Sequence, residues 1–179
     1  MKRSRSYPNV VKRWSRPRAK FIIRRENVGR NSVELDVPLS FPGPGDEFAL
    51  DGPLQRDPDD RRRCIVGPEG RQAITCLRVL AVEGNFALLE VWPMTGRTHQ
   101  IRAHLAALGY AIVGDQVYAL LAEAGTPQAA LQRQFLHAYS LELRCYPENA
   151  VCTFVAPLAD DLRLWEQCLP ALWQVYHSE

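Results

Sequence analysis

The alternation of apolar and polar positions is clearest in the middle of the chain. Asn85 to Trp92 (NFALLEVW) is an apolar, aromatic-rich run bounded by Gly84 and Pro93, which predicts a buried strand. Gln72 to Val82 precedes it, and the two runs are expected to form a β-hairpin around Glu83-Gly84. After Pro93 the period lengthens. Ile101, His104, Leu105 and Leu108 recur at spacings of three and four, which predicts the inward face of a helix. Thr95 or Thr98 is its candidate N-cap, and Gly109 supplies a left-handed stop.

The flanks are patterned more weakly. Phe21 to Ile23 and the alternating Val33 to Leu39 predict short strands, followed by a stiff turn at Pro42-Gly43-Pro44-Gly45. Asp57 to Asp60 and Gly67 to Gly70 predict two more turns, and Gly114-Asp115 another. Val117 to Ala124 reads as a short apolar helix, residues 126–134 as a loop or a second helical turn, and Val151 to Ala156 as the last strand. Asp160 to His177 then predicts a closing helix with a core-facing stripe of Leu162, Trp165, Leu169 and Trp173, kinked at Pro170. The expected class is α+β, a mixed or mostly antiparallel sheet with packed helices.

At 179 residues and 46% hydrophobic content the chain is long enough for one domain with its own core plus an extension. No apolar run approaches the roughly 18 residues of a membrane span. Five cysteines form no C-x-x-C pair, which argues against a disulfide framework or a zinc ribbon and for reduced thiols. His99, His104, His137 and His177 share no metal-ligand spacing, so neither a metal nor a cofactor is expected.

Charge changes the picture. The net +2 hides an asymmetry, because residues 1–30 hold 11 of the 22 Lys and Arg against a single acid, Glu26. Residues 1–30 are therefore expected to be a basic extension, and residues 31–179 the folded domain. In the first 20 residues Lys2, Arg3, Arg5, Lys12, Arg13, Arg16, Arg18 and Lys20 are interspersed with Tyr7 and Trp14 and lack a hydrophobic period, so in isolation they should be disordered. Three readings stay open: an arm that follows RNA phosphates while its aromatics stack on bases, an organelle transit peptide, and a solvated terminus. The second would place the protein in a mitochondrial or other organellar matrix; otherwise a cytoplasmic location is expected.

The candidate chemistry lies in residues 94–118, MTGRTHQIRAHLAALGYAIVGDQVY. Arg97, His99, Gln100 and Arg102 crowd the first turn and a half of the predicted helix, where the dipole favours an anion. Arg61, Arg62 and Arg63 form a basic rim that could touch RNA. For both groups a solvated polar surface is the alternative.

The wording of these stretches is specific. TGRTHQIRAHLAALGYAIVGDQVY resembles a segment of the RluA-type RNA pseudouridine synthases, TGRTHQIRxHLxxxGxPIxGDxxY, with Ala111 where proline is common. Residues 47–80 are similar to that family's GxIxxPIxRDPxxRxxMxVxxxGKxAxTxxxVL, and RQFLHAYSLELRCYP (133–147) to its R-x-x-LHA-x-x-L-x-x-x-x-P, with His137 a packed structural residue. The match covers about residues 47–165 and implies the later half of a pseudouridine synthase-like domain. The resemblance also implies roles. In the family an aspartate in an HRLDxxTSG motif attacks the target nucleotide, which is flipped out of its helix, a tyrosine in a K-x-Y-x-A segment stacks on the base, and the HQIR arginine, here Arg102, keeps the aspartate ionised.

No aspartate of this chain stands in that motif: Asp57 matches the RDP turn and Asp115 the GD turn. The tyrosine position falls near Leu35, without K-x-Y-x-A character, and 46 residues before the match are too few for the strands that carry the nucleophile. Arg102 is therefore expected to lack a partner within the chain and to meet a phosphate, another chain's carboxylate or water. The expected function is a non-catalytic, structural rRNA-binding component of a ribosome, with ribosomal proteins as further partners. The alternative is an active synthase on rRNA or tRNA whose aspartate comes from a partner chain or an unrecognised N-terminal segment.

Overall fold

The computed structural model describes residues 17–25, 43–119 and 131–178, apart from 164 and 166. Six strands run across the main sheet in the order β2 (Glu47–Asp51), β5 (Ile74–Glu83), β6 (Phe86–Pro93), β1 (Pro17–Arg25), β8 (Leu136–Cys145) and β9 (Ala150–Val155), and a seventh, β7 (Tyr110–Ile112), pairs with the end of β1. Every pairing is antiparallel. A small second sheet joins β3 (Leu54–Arg56) to β4 (Cys64–Val66). The helices are α1 (Gln100–Ala107), α2 (Asp160–Arg163) and α3 (Pro170–Ser178). The α+β class and its antiparallel sheet are as the sequence predicts.

The β5–β6 hairpin turns at Gly84, which takes φ 58°, a conformation that costs glycine nothing. Along β5 and β6 one face presents Leu77, Val79, Leu89 and Val91, each no more than 1% exposed. These residues share one core with Ile23 of β1, Leu105 of α1 and the C-terminal Leu162, Trp165, Leu169, Leu172 and Trp173. The stripe expected near the C-terminus is thus buried, but not on one kinked helix. The chain leaves α2 after Arg163, passes through turns, and starts α3 at Pro170, whose missing N–H is no loss in a first helical turn. Glu83 of the hairpin accepts the Ala171 and Leu172 amides at 3.1 and 3.3 Å, anchoring that new start.

β1 corrects the sequence reading most. Its first four residues, Pro17 to Lys20, belong to the stretch expected to be disordered, and the whole strand lies inside the expected basic extension, yet it is a central strand between β6 and β8. Ala19 and Ile23 are buried while Arg18 is exposed, so a period of two is present beneath the charges. Lys2, Arg3, Arg5, Lys12, Arg13, Trp14 and Arg16, and the strand expected at Val33 to Leu39, lie outside the described residues. Val117 to Ala119 form a turn, and the rest of the helix expected there is also outside them.

Candidate functional site

α1 begins where β6 ends, and the junction is held by one glutamine. Gln100 is 4% exposed, and its Oε1 accepts the Thr95 hydroxyl (2.7 Å) and the Arg97 amide (3.0 Å). Its Nε2 donates to the Ile74 carbonyl (2.9 Å) and the Thr75 hydroxyl (3.0 Å). All its hydrogen-bonding capacity is turned inward, so Gln100, expected among the RNA contacts, acts here as the pin that fixes α1 to β5. The Thr75 hydroxyl in turn donates to His104 Nδ1 (2.9 Å), and His104 Nε2–H donates to the Gly52 carbonyl (2.9 Å). Burial holds that imidazole neutral, below its ordinary pKa.

Neither Thr95 nor Thr98 caps the helix. The N-cap is His99, in the left-handed region at φ 55°, ψ 21° with no side-chain cap bond. A non-glycine residue there is strained, and such residues cluster at functional sites. At the other end Gly109 takes φ 79°, the expected left-handed stop.

The strain at His99 aims its ring at Tyr118. The Tyr118 hydroxyl accepts the Cys64 amide (2.7 Å), donates to the Cys64 carbonyl (3.1 Å), and lies 3.3 Å from His99 Nδ1. With the phenol proton committed to Cys64, His99 Nδ1 is the donor and its Nε2 is left as an acceptor. Burial first, then the Arg102 guanidinium, with Arg56 adding to it, holds His99 below its ordinary pKa. Two cations lie over the Tyr118 ring, Arg102 at 4.9 Å and Arg63 at 5.1 Å from its centroid.

Arg102 overturns the expectation of an unpartnered cation. Its Nε and Nη2 donate to Asp115 Oδ2 and Oδ1, both at 2.6 Å, in a fork that matches the planar guanidinium. Asp115 Oδ1 also accepts the amides of Val117 (2.9 Å) and Tyr118 (3.0 Å). Burial alone would push this carboxyl up, but Arg102 and the two amides outweigh it and hold it below the usual range. The side chains are 12% and 0% exposed. An Asp-x-x-Tyr spacing that reads as a turn thus folds a carboxylate back onto the helix. Arg102 Nη1 makes no hydrogen bond among the described residues.

Around this centre the rim is basic. Arg61 is exposed and its backbone carbonyl accepts Arg56 Nη1 (3.1 Å), Arg62 is taken up by Asp60 (2.7 Å), and Arg63 lies 3.7 Å from Asp57. Arg97 is exposed and donates from Nε to the Gln72 carbonyl (3.2 Å). Arg18 lies elsewhere, on β1, and Lys20 follows it on that strand. His137 bonds the Ala156 carbonyl at 3.1 Å. The site therefore gathers His99, Arg102 and Arg63, which sequence reasoning spread over two motifs, and adds Tyr118, Arg56 and Asp115. The signal for Tyr118 was its place three residues after Asp115.

This arrangement stands on a family signature. Residues 34–107 match the family model described as RNA pseudouridylate synthase. An uncharacterised RNA pseudouridine synthase from Chloroflexus aurantiacus is 46% identical over 124 residues, 68% of this chain and 37% of that protein. Over its matched length the chain belongs to the RluA-type RNA pseudouridine synthase family. Another relative, the ribosomal large subunit pseudouridine synthase D of Nitrosomonas europaea, is 39% identical over 116 residues, 63% of this chain and 34% of that protein. The pseudouridine synthase fold recurs in the human RNA pseudouridylate synthase domain containing 4, with a TM-score of 0.59 at 19% identity over 87% of this chain and 62% of that one. It recurs also in the human RNA pseudouridylate synthase domain containing 1, with a TM-score of 0.55 at 20% identity over 83% and 57%. The chain spans less than half the length of the curated relatives it matches.

Proposed function

We propose that this chain is an RNA-binding pseudouridine synthase-like protein that does not itself isomerise uridine, and that it serves as a structural, rRNA-binding component of a ribosome. One observation carries the reading: the arginine that the family resemblance assigns to steadying the nucleophile is closed on Asp115. A nucleophile needs an exposed lone pair. Asp115 is 3% exposed and accepts four hydrogen bonds, two from a guanidinium and two from amides. Attack on a flipped nucleotide would require breaking that set, and the released Arg102 would be left as a largely desolvated cation.

RNA binding is supported by the basic rim of Arg56, Arg61, Arg63 and Arg97 around a neutral His99 and by the basic composition of residues 1–30. Arg and Lys at such a surface displace counterions from phosphates, a contribution that grows with each contact and falls with salt. The ribosomal host rests on that charge and on the name of the Nitrosomonas relative.

A second reading is favoured by Arg102 Nη1, a donor without a hydrogen bond among the described residues. A carboxylate from another segment or chain could dock on it, making Arg102 a bridge between Asp115 and a nucleophile, and the assembly an active synthase on rRNA or tRNA. Tritium release from RNA carrying 5-tritiated uridine, assayed with the chain alone and with host-cell extract added to supply any partner chain, separates the two. Under the first reading the purified chain releases none while still binding RNA; release that Arg102→Ala abolishes would establish the second.

A further inference from the structure

The sheet carries a second polar cluster away from α1, built on a buried carboxylate. Cys76 pairs with Trp92 and Arg78 with Glu90 across β5 and β6, while Lys20 of β1 pairs with Glu90 from the other side. The period of two therefore puts Arg78, Glu90 and Trp92 on one face with Arg18, opposite the core residues Leu77, Val79, Leu89 and Val91. Thr75, which holds Gln100 and His104, is on the core-facing set, so this face is not the one α1 occupies.

Glu90 is 1% exposed, and it is surrounded by donors. Arg78 Nη2 donates to its Oε2 at 2.8 Å, Tyr139 donates to its Oε1, and Arg18 Nη1 lies 3.9 Å from Oε1. Burial and then that bond to Glu90 push the Tyr139 phenol up to about 12, so it remains a donor at any working pH. The carboxylate orients two guanidiniums, and both lie over one indole: Arg18 at 6.0 Å and Arg78 at 5.8 Å from the Trp92 ring centroid. Arg18 is 45% exposed and Arg78 34%, so each keeps a face toward solvent.

Two outward cations on one half-exposed indole match one ligand chemistry, a polyanion with planar rings. We propose that Arg18, Trp92 and Arg78 form a contact for single-stranded RNA, with a base stacked on Trp92 and flanking phosphates on the two guanidiniums, and with Glu90 as the positioning residue beneath them. Chain connectivity supports the assignment. Residues 1–16, which contain Lys2, Arg3, Arg5, Lys12, Arg13 and Arg16 and no acid, join the sheet at Pro17, one residue from Arg18. Counterion release along that sequence and stacking on Trp92 would act on the same strand.

The inference rests on the RNA-binding reading, and the test keeps the two apart. Binding of the full chain to a fluorescein-labelled 12-nucleotide oligouridylate is followed by anisotropy across a salt series. Trp92→Ala should weaken binding about ten-fold, the scale of one lost stack, while Trp92→Phe should restore most of it. Arg18→Ala should lower the salt slope by about 0.7. Quenching of tryptophan fluorescence by the RNA should fall in Trp92→Phe, a readout that needs no unfolding-prone variant. If Arg61→Ala and Arg63→Ala weaken binding while Trp92→Ala and Arg18→Ala, folded by circular dichroism, do not, this contact is refuted and the RNA reading stands. If no variant matters because the wild type does not bind, both fail.

Discussion

The Arg102–Asp115 fork can be tested by replacing Asp115 with asparagine, which keeps the volume and the oxygen that accepts the Val117 and Tyr118 amides. It changes the other terminal atom from an acceptor to an N–H2 group facing Arg102 Nε, where a 2.6 Å hydrogen bond now stands. Breaking a buried ion pair by removing one partner costs roughly 3–5 kcal/mol. Arg102 retains 12% exposure and its bond to Oδ1, which places the cost at the lower end, about 3 kcal/mol. For a chain of this size that is a fall in Tm of roughly 6–12 °C, read by circular dichroism. A cycle with Arg102→Met isolates the pair, and its coupling should be about 2 kcal/mol. The asparagine variant melting within about 2 °C of wild type, or a coupling below about 0.5 kcal/mol, would refute the fork as a stabilising contact. The pH dependence has a fixed sign. Arg102 and the two amides hold the Asp115 carboxyl below the ordinary carboxylate range in the fold, so its contribution is present above that range and is lost as pH falls through the lower folded value. Wild type and variant should therefore converge in acid.

Gly114→Ala should cost about 2 kcal/mol or more, because the glycine has φ 76° and an added Cβ would lie 2.4 Å from the Arg133 carbonyl oxygen; an unchanged urea midpoint would contradict it. Tyr118→Phe leaves the buried Cys64 amide and carbonyl without their partner, a loss of roughly 1–3 kcal/mol, and hydrogen exchange at the Cys64 amide should quicken. His104 is held neutral in the fold, below the ordinary value of 6.5, so the unfolded chain binds a proton that the native state refuses. Stability should fall as pH drops below about 6.5, and His104→Gln should flatten that dependence in urea titrations at pH 7.5 and 5.5; an equally steep fall in the variant would assign it elsewhere.

Much of the fold was readable where pattern and charge agree. The β5–β6 hairpin, the Gly109 stop and the buried C-terminal stripe follow from local periodicity, and the TGRTHQIR stretch carried the family because its residues are contiguous. β1 was hidden. Only Phe21 to Ile23 looks like strand, since Arg18, Lys20, Arg24 and Arg25 mask the alternation, and its partners on β6 and β8 lie some 60 to 120 residues away.

The site shows the same division. The sequence by itself determined which residues stand at the start of α1, that the dipole there favours an anion, and that no aspartate occurs in the nucleophile's motif. Only the tertiary structure decided what those residues face: Gln100 inward onto β5, His99 into the left-handed region against Tyr118, and Arg102 onto Asp115. A side chain's partner depends on how the chain returns after Gly109 and Gly114, and that return is set by β7 pairing with β1 and by the packing of Leu105 and Ile112 in the core. These are long-range contacts, which local periodicity does not encode.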